Sequence, residues 1–149
     1  PLSVEGGFFK ETYRSKSQVA TPSCRCAGTC IYYLLSGRQI SSWHKVASDE
    51  IWLYHAGSAA QQLLLFPDGS WEERTIGADI AKGQRPQSLI PAGTWQAASL
   101  LDSAADSWGL FGATVFPGFE YQDFQAGDSD ALAKAYPAAE ERMKRLGLL

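Results

Sequence analysis

From Gly6 to Val115 the sequence is a succession of short β-branched and aromatic runs, each closed by a turn signal. Gly6 to Arg14 alternates aromatic with polar residues, and Thr29 to Leu35 is an apolar run that ends at Ser36-Gly37. Gln61 to Phe66 is joined to Trp71 to Ile76 by Pro67-Asp68-Gly69-Ser70, where Pro pre-sets φ and Gly supplies a positive φ. Gln87 to Ile90 and Trp95 to Ser99 flank Pro91-Ala92-Gly93, and Trp108 to Val115 is the last clear strand. Residues 15–26, rich in Ser, Thr and Pro, read as a loop, and Ala78 to Lys82 as one helical turn closed by Gly83. Short strands at regular spacing with turns between them predict an antiparallel sandwich or barrel.

The one clear helical pattern comes last. Asp128 or Ser129 can cap it, and Pro137, which lacks an amide donor and restricts Tyr136, divides it into two short helices. The second is supported by Glu140 with Lys144 and Glu141 with Arg145 at four-residue spacing. Met143 and Leu146 form an apolar stripe that packs on the outside of the barrel. At 149 residues and 45% hydrophobic, the chain is expected to be a single domain, about 1–125 barrel and 128–147 helical segment. A formal net charge of -3 without a basic run argues against nucleic acid or an anionic membrane as partner. No apolar stretch approaches the roughly 18 residues that span a bilayer. Three closely spaced cysteines, Cys24, Cys26 and Cys30, do not read as a disulfide framework and point to a reducing, cytoplasmic compartment. As a zinc site they would lack a fourth ligand, so unligated thiols are expected.

Chemistry concentrates in Trp43 to Gly57, two alternating runs joined by Ala47-Ser48-Asp49. The period of two along a strand puts His44 and Val46 on one face, and Glu50, Trp52 and Tyr54 on one face of the returning strand. Facing a common cavity, they would form a pocket with an aromatic wall and a polar centre, the usual build of a small-molecule site. Trp43 and Trp95 fall on the opposite strand face, and His55 is out of phase with the cavity. Proton transfer, metal ligation and plain binding can each use a His beside a Glu.

The spacing His44, Glu50, Gly57 resembles the first signature of the cupin superfamily, Gly-x5-His-x-His-x3-4-Glu-x6-Gly. Pro91-Ala92-Gly93-Thr94-Trp95-Gln96 is similar to the second signature. Val46 and Gln96 stand where further metal-binding His residues would be, Leu100 where an Asn would be, and Arg38 and Arg85 at the leading glycines. Residues 5–15 (Glu-Gly-Gly-Phe-Phe-Lys-Glu-Thr-Tyr-Arg-Ser), Gly83 to Gln87 and Pro117 to Phe124 resemble the branch known as cupin-5 or DUF985, described as predicted sugar epimerases. Ser3-Val4 replaces the His-Pro common in that branch.

The resemblance implies an all-β, jelly-roll double-stranded β-helix with a C-terminal helical segment, a homodimer, and a small-molecule ligand. A cupin metal centre resembles three His and one Glu. Here only His44, Glu50 and Gln96 occupy matching positions, and amide oxygen is a weak neutral ligand, so no metal cofactor is expected; if a divalent ion is held, those three would hold it. Without metal, similarity to the metal-free epimerases makes His44 the base, with Glu50 fixing its tautomer. Tyr54, Tyr13 and Tyr33 are the candidate acids, Tyr54 first because it shares the face of Glu50. Arg14 and Arg85 are candidates for gripping an anion through a bidentate fork. With Glu11, Gln87, Trp52 and Gln96 they complete the expected ligand contacts. An isomerase or epimerase of a sugar-like or keto-containing compound, a non-catalytic sensing module and a weakly metal-dependent enzyme remain open as readings.

Overall fold

The computed structural model describes residues 6–22 and 24–149; Ser3-Val4 lies outside them. Strands β1 (Phe8–Arg14), β4 (Thr29–Ser36), β6 (Asp49–Gly57), β9 (Gln87–Ile90) and β11 (Trp108–Phe116) form one five-stranded sheet in the order β1-β4-β11-β6-β9. The second five-stranded sheet, in the order β12-β5-β10-β7-β8, contains β5 (Ile40–Lys45), β7 (Ala60–Leu65), β8 (Trp71–Ile76), β10 (Trp95–Leu100) and β12 (Gln125–Ala126). Every ladder in both sheets is antiparallel. This is the expected all-β jelly roll, with the crossovers that bring distant strands together.

Between residues 15 and 26, expected to be loop, β2 (Gln18–Val19) and β3 (Arg25–Cys26) form a small hairpin. Two-residue strands are shorter than any pattern of alternation. The turns behave as their residues dictate. Gly69 and Gly93 take φ of +88° and +75°, and Gly83 closes the 3-10 turn Ile80–Lys82 at +78°.

The inner faces of the sheets meet in one apolar cluster, in which Tyr33, Leu35, Trp52, Ile90 and Phe111 from the first sheet pack with Leu64, Ile76, Ala98 and Leu100 from the second. The outer face of the second sheet is covered by the C-terminal segment. There α1 (Ser129–Ala135) and α2 (Glu140–Arg145) lay Leu132, Met143 and Leu146 on Trp43, Leu63, Leu65 and Ala97, with Trp95 packed at the margin. Asp128 caps α1 by accepting from the Ala131 amide at 2.8 Å, and α1 ends before Pro137, as expected. Glu140 pairs with Lys144 at 2.5 Å, and Arg142 reaches across to Glu73 at 3.1 Å. Trp43 therefore faces the helices, where its indole N–H donates to the Leu148 carbonyl at 2.8 Å. His44, the next residue, is left to face inward.

Among the described residues no helix is long and apolar enough to cross a membrane.

Candidate functional site

The polar centre is assembled from both sheets. On β5, His44 pairs in register with Gln96 of β10, and β12 covers its other side through Ala126. From the opposite sheet β6 supplies Glu50, whose Oε2 accepts from Gln96 Nε2 at 2.5 Å. His44, Glu50 and Gln96 are 3%, 7% and 1% exposed. The structure thus brings together the three residues that the hairpin and the second signature single out.

The His44 ring is stacked on Phe124 with centroids 5.4 Å apart. Its Nδ1 lies 2.7 Å from the Ser42 carbonyl, which can only accept, so Nδ1 carries the proton and Nε2 is the basic atom of the neutral ring. Burial pushes the imidazole below its ordinary value, against the opposing pull of the Glu50 charge and the Ser42 carbonyl. At neutral pH the ring is an uncharged base beside a carboxylate.

Three further residues extend this centre. Gln62 on β7 donates through Nε2 to Gln96 Oε1 at 3.4 Å, Ser88 on β9 donates to Gln62 Oε1 at 2.6 Å, and Arg74 on β8 donates to Ser88 Oγ at 3.1 Å. Each was visible as a polar residue in phase with a core neighbour: Gln62 with Leu64, Ser88 with Ile90, Arg74 with Ile76. Their partnership depends on which strands the fold sets opposite each other.

Trp52 is on the inner wall as expected, 2% exposed, edge-on to Tyr33 at 5.3 Å, and its Nε1–H is buried with no hydrogen-bond partner. Tyr33 is also buried, and its hydroxyl donates to the Gly6 carbonyl at 2.9 Å. Tyr54 packs against Phe111 on the same inner face, about 13 Å along the strand from Glu50. Its hydroxyl donates to the Gly57 carbonyl at 2.7 Å. Gly57 has φ of +84° and an added Cβ there would strike the Trp108 carbonyl, so this turn requires glycine.

The remaining expected contacts lie apart from the His44 cluster. Register runs from Glu50 through Val115 and Thr29 to Arg14, which places Arg14 three strands away, about 14 Å. There it forks onto Glu11 at 3.1 and 2.9 Å and also pairs with Glu120 at 2.9 Å, and those carboxylates hold its guanidinium charged well above the ordinary range. Tyr13 is 60% exposed on the edge strand β1. Arg85 is half-exposed and pairs with Glu72 at 3.0 Å. Gln87 faces outward, because Ser88 and Ile90 take the inner positions of β9. His55 is exposed on the outer face against Tyr32, as its phase predicted.

The donor set does not fit a transition metal. Gln96 turns its amide N–H toward Glu50 and its oxygen toward Gln62, so the group it presents at Glu50 is a donor and not a ligand atom for an ion. Among the described residues no group of three His, Cys, Asp or Glu side chains is placed to hold a metal ion.

Comparison with known proteins agrees with this architecture. An uncharacterised protein of Saccharomyces cerevisiae, YML079W, is 33% identical over 133 residues, covering 80% of this chain and 66% of its own length. A Shewanella oneidensis protein of solved structure is 34% identical with a TM-score of 0.85, covering 98% of this chain and 89% of that one. A hypothetical protein from Leishmania major is 29% identical with a TM-score of 0.84, covering 95% and 89%. Residues 2–127 match the family described as Cupin superfamily (DUF985), to which this chain therefore belongs.

Proposed function

We propose that the protein binds a small polar or anionic metabolite between its two sheets and acts on it by metal-independent acid–base chemistry, as an isomerase or epimerase of a sugar-like or keto-containing compound. The observation that carries this reading is the buried neutral His44, whose Nδ1–H is held by the Ser42 carbonyl so that Nε2 is the base, next to a carboxylate. A proton taken from the carbon next to a carbonyl makes His44 cationic, and Glu50 stabilises that cation by charge. Negative charge builds on the carbonyl oxygen at the same moment, and the unpartnered Trp52 Nε1–H is the donor suited to receive it. Tyr33, edge-on to Trp52, then returns a proton after releasing the Gly6 carbonyl it now serves. Tyr54, about 13 Å along the strand from Glu50, is too distant to share a carbon with His44.

A non-catalytic binding module is the second reading, and the two-ended satisfaction of Gln96 favours it. Screening sugar nucleotides and keto acids with the protein and with His44→Ala separates the two. Conversion by the protein that is lost in a folded His44→Ala variant is the expected result. Undiminished turnover in the variant removes His44 as base, and tight retention of one compound without conversion supports the binding module.

A further inference from the structure

We infer that Arg74, acting through Ser88 and Gln62, is a positioning residue: it sets which way the Gln96 amide faces and so keeps Glu50 in its proton-accepting, ionised form. The functional meaning of this relay rests on the reading of His44 and Glu50 given above; its existence does not.

The inference follows from the direction of four consecutive hydrogen bonds. A guanidinium has five donors and no acceptor, so Ser88 Oγ must accept from Arg74 Nη1. The single hydroxyl proton of Ser88 then goes to Gln62 Oε1, at 2.6 Å. With its oxygen engaged, Gln62 offers only its amide N–H to Gln96, at 3.4 Å the longest link. Gln96 accepts on Oε1 and is left with N–H for Glu50, at 2.5 Å. Every donor points from a partly buried cation toward a buried carboxylate.

Reversing the chain has a definite cost. Glu50 would have to be protonated in order to donate to Gln96 Oε1, and Ser88 would face two donors, Gln62 and Arg74, with its own proton displaced. Both glutamine orientations are therefore fixed by the ends of the chain and not by their own shape. Arg74 is in turn immobilised by Glu72 at 2.7 Å and the Leu89 carbonyl at 2.5 Å. Around Glu50 itself, His44 on β5 is a titratable neighbour, Gln96 on β10 is neutral, and the register partners Val115 on β11 and Ile90 on β9 are apolar. The relay is thus a route by which a cation beyond the immediate shell acts on the carboxylate, and the carboxylate acts on the base.

The test follows the Glu50 side-chain carboxyl by carbon NMR against pH in the protein without substrate, with Glu50→Gln to assign the signal. Ser88→Ala breaks the relay while leaving every charge in place. It is expected to raise the midpoint of Glu50 protonation by about one pH unit, as does Arg74→Met, whereas Arg74→Lys returns most of the shift. Arg85→Met removes a charge from the same Glu72 cluster without touching the relay and is expected to leave the midpoint where it is. A midpoint unmoved in folded Ser88→Ala, or moved equally by Arg85→Met and Arg74→Met, overturns the inference. Because no substrate is present, the relay can stand even if the pocket proves to have no acid–base activity, and it can fail while His44→Ala still abolishes turnover.

Discussion

At the scale of single residues, the centre is governed by which groups stay charged when taken out of water. His44 is buried neutral, with its protonated form disfavoured by burial. The unfolded chain therefore takes up a proton near pH 6.5 that the folded chain still refuses, and stability must fall as pH drops below that value toward the folded titration. Urea unfolding at pH 7.5 and 5.5 reads this directly. The protein is expected to lose up to about 1.4 kcal/mol per pH unit from this one group, and His44→Asn to lack that component. Equal slopes in the two proteins would show that His44 is protonated as easily folded as unfolded. Gln96 makes a second case, because it holds Glu50 and receives Gln62. Gln96→Leu removes a donor from the buried Glu50 carboxylate and the acceptor of the buried Gln62 amide at once. A loss of about 1–3 kcal/mol in unfolding free energy is expected, well above the effect of a surface Gln→Leu such as at Gln122.

At the scale of elements, the C-terminal helices matter through what they cover. Met143 and Leu146 seal the outer face of the second sheet, and this frees the other face of β5 to be polar. Met143→Ala is expected to cost about 2–5 kcal/mol, and Asp128→Ala about 0.5–2 kcal/mol through the lost cap; thermal or urea unfolding checks both. This division of β5 was legible in the sequence, since Trp43 and His44 are adjacent and a strand must send them to opposite faces. The pairing of His44, Glu50 and Gln96 was legible through the two signatures. The cap at Asp128 and the break at Pro137 were legible as well, because both depend on local backbone chemistry. The relay through Gln62, Ser88 and Arg74 was not. Periodicity assigns a face to a residue, but the neighbour across a sandwich is set by sheet order, which brings β8 and β9 together from different sheets. The Tyr54 hydroxyl was illegible for a different reason. A register shift near His55 and the positive φ of Gly57 turn a carbonyl back toward it, and neither shows in alternation alone. Gln87 and Arg85 stand in a segment that resembles the family, yet phase turns one outward and Glu72 engages the other.

At the scale of the whole molecule, the two sheets are treated unequally. The second has its outer face covered by the C-terminal segment, whereas the first leaves Tyr32, Leu89 and Phe116 exposed on its outer face and ends in β1, an edge strand exposed along its whole length that carries Phe8, Phe9 and Tyr13. An edge strand with aromatic side chains is a template for pairing, and an aromatic outer face is an uncovered apolar surface. A second copy of the chain is the partner proposed here, consistent with the homodimer that the resemblance implies. Sedimentation equilibrium is expected to give twice the 16.2 kDa chain mass. Phe9→Lys combined with Tyr32→Asp places charge on the edge and on the outer face, and is expected to shift the protein to monomer. Both substitutions are far from Glu50 and Gln96, so the pH dependence assigned to His44 should persist in the monomeric variant if the site is complete within one chain. A protein that sediments at 16.2 kDa before any substitution removes the dimer and leaves that face for another partner. A dimer whose dissociation abolishes the His44 titration would instead place part of the site's support across the interface.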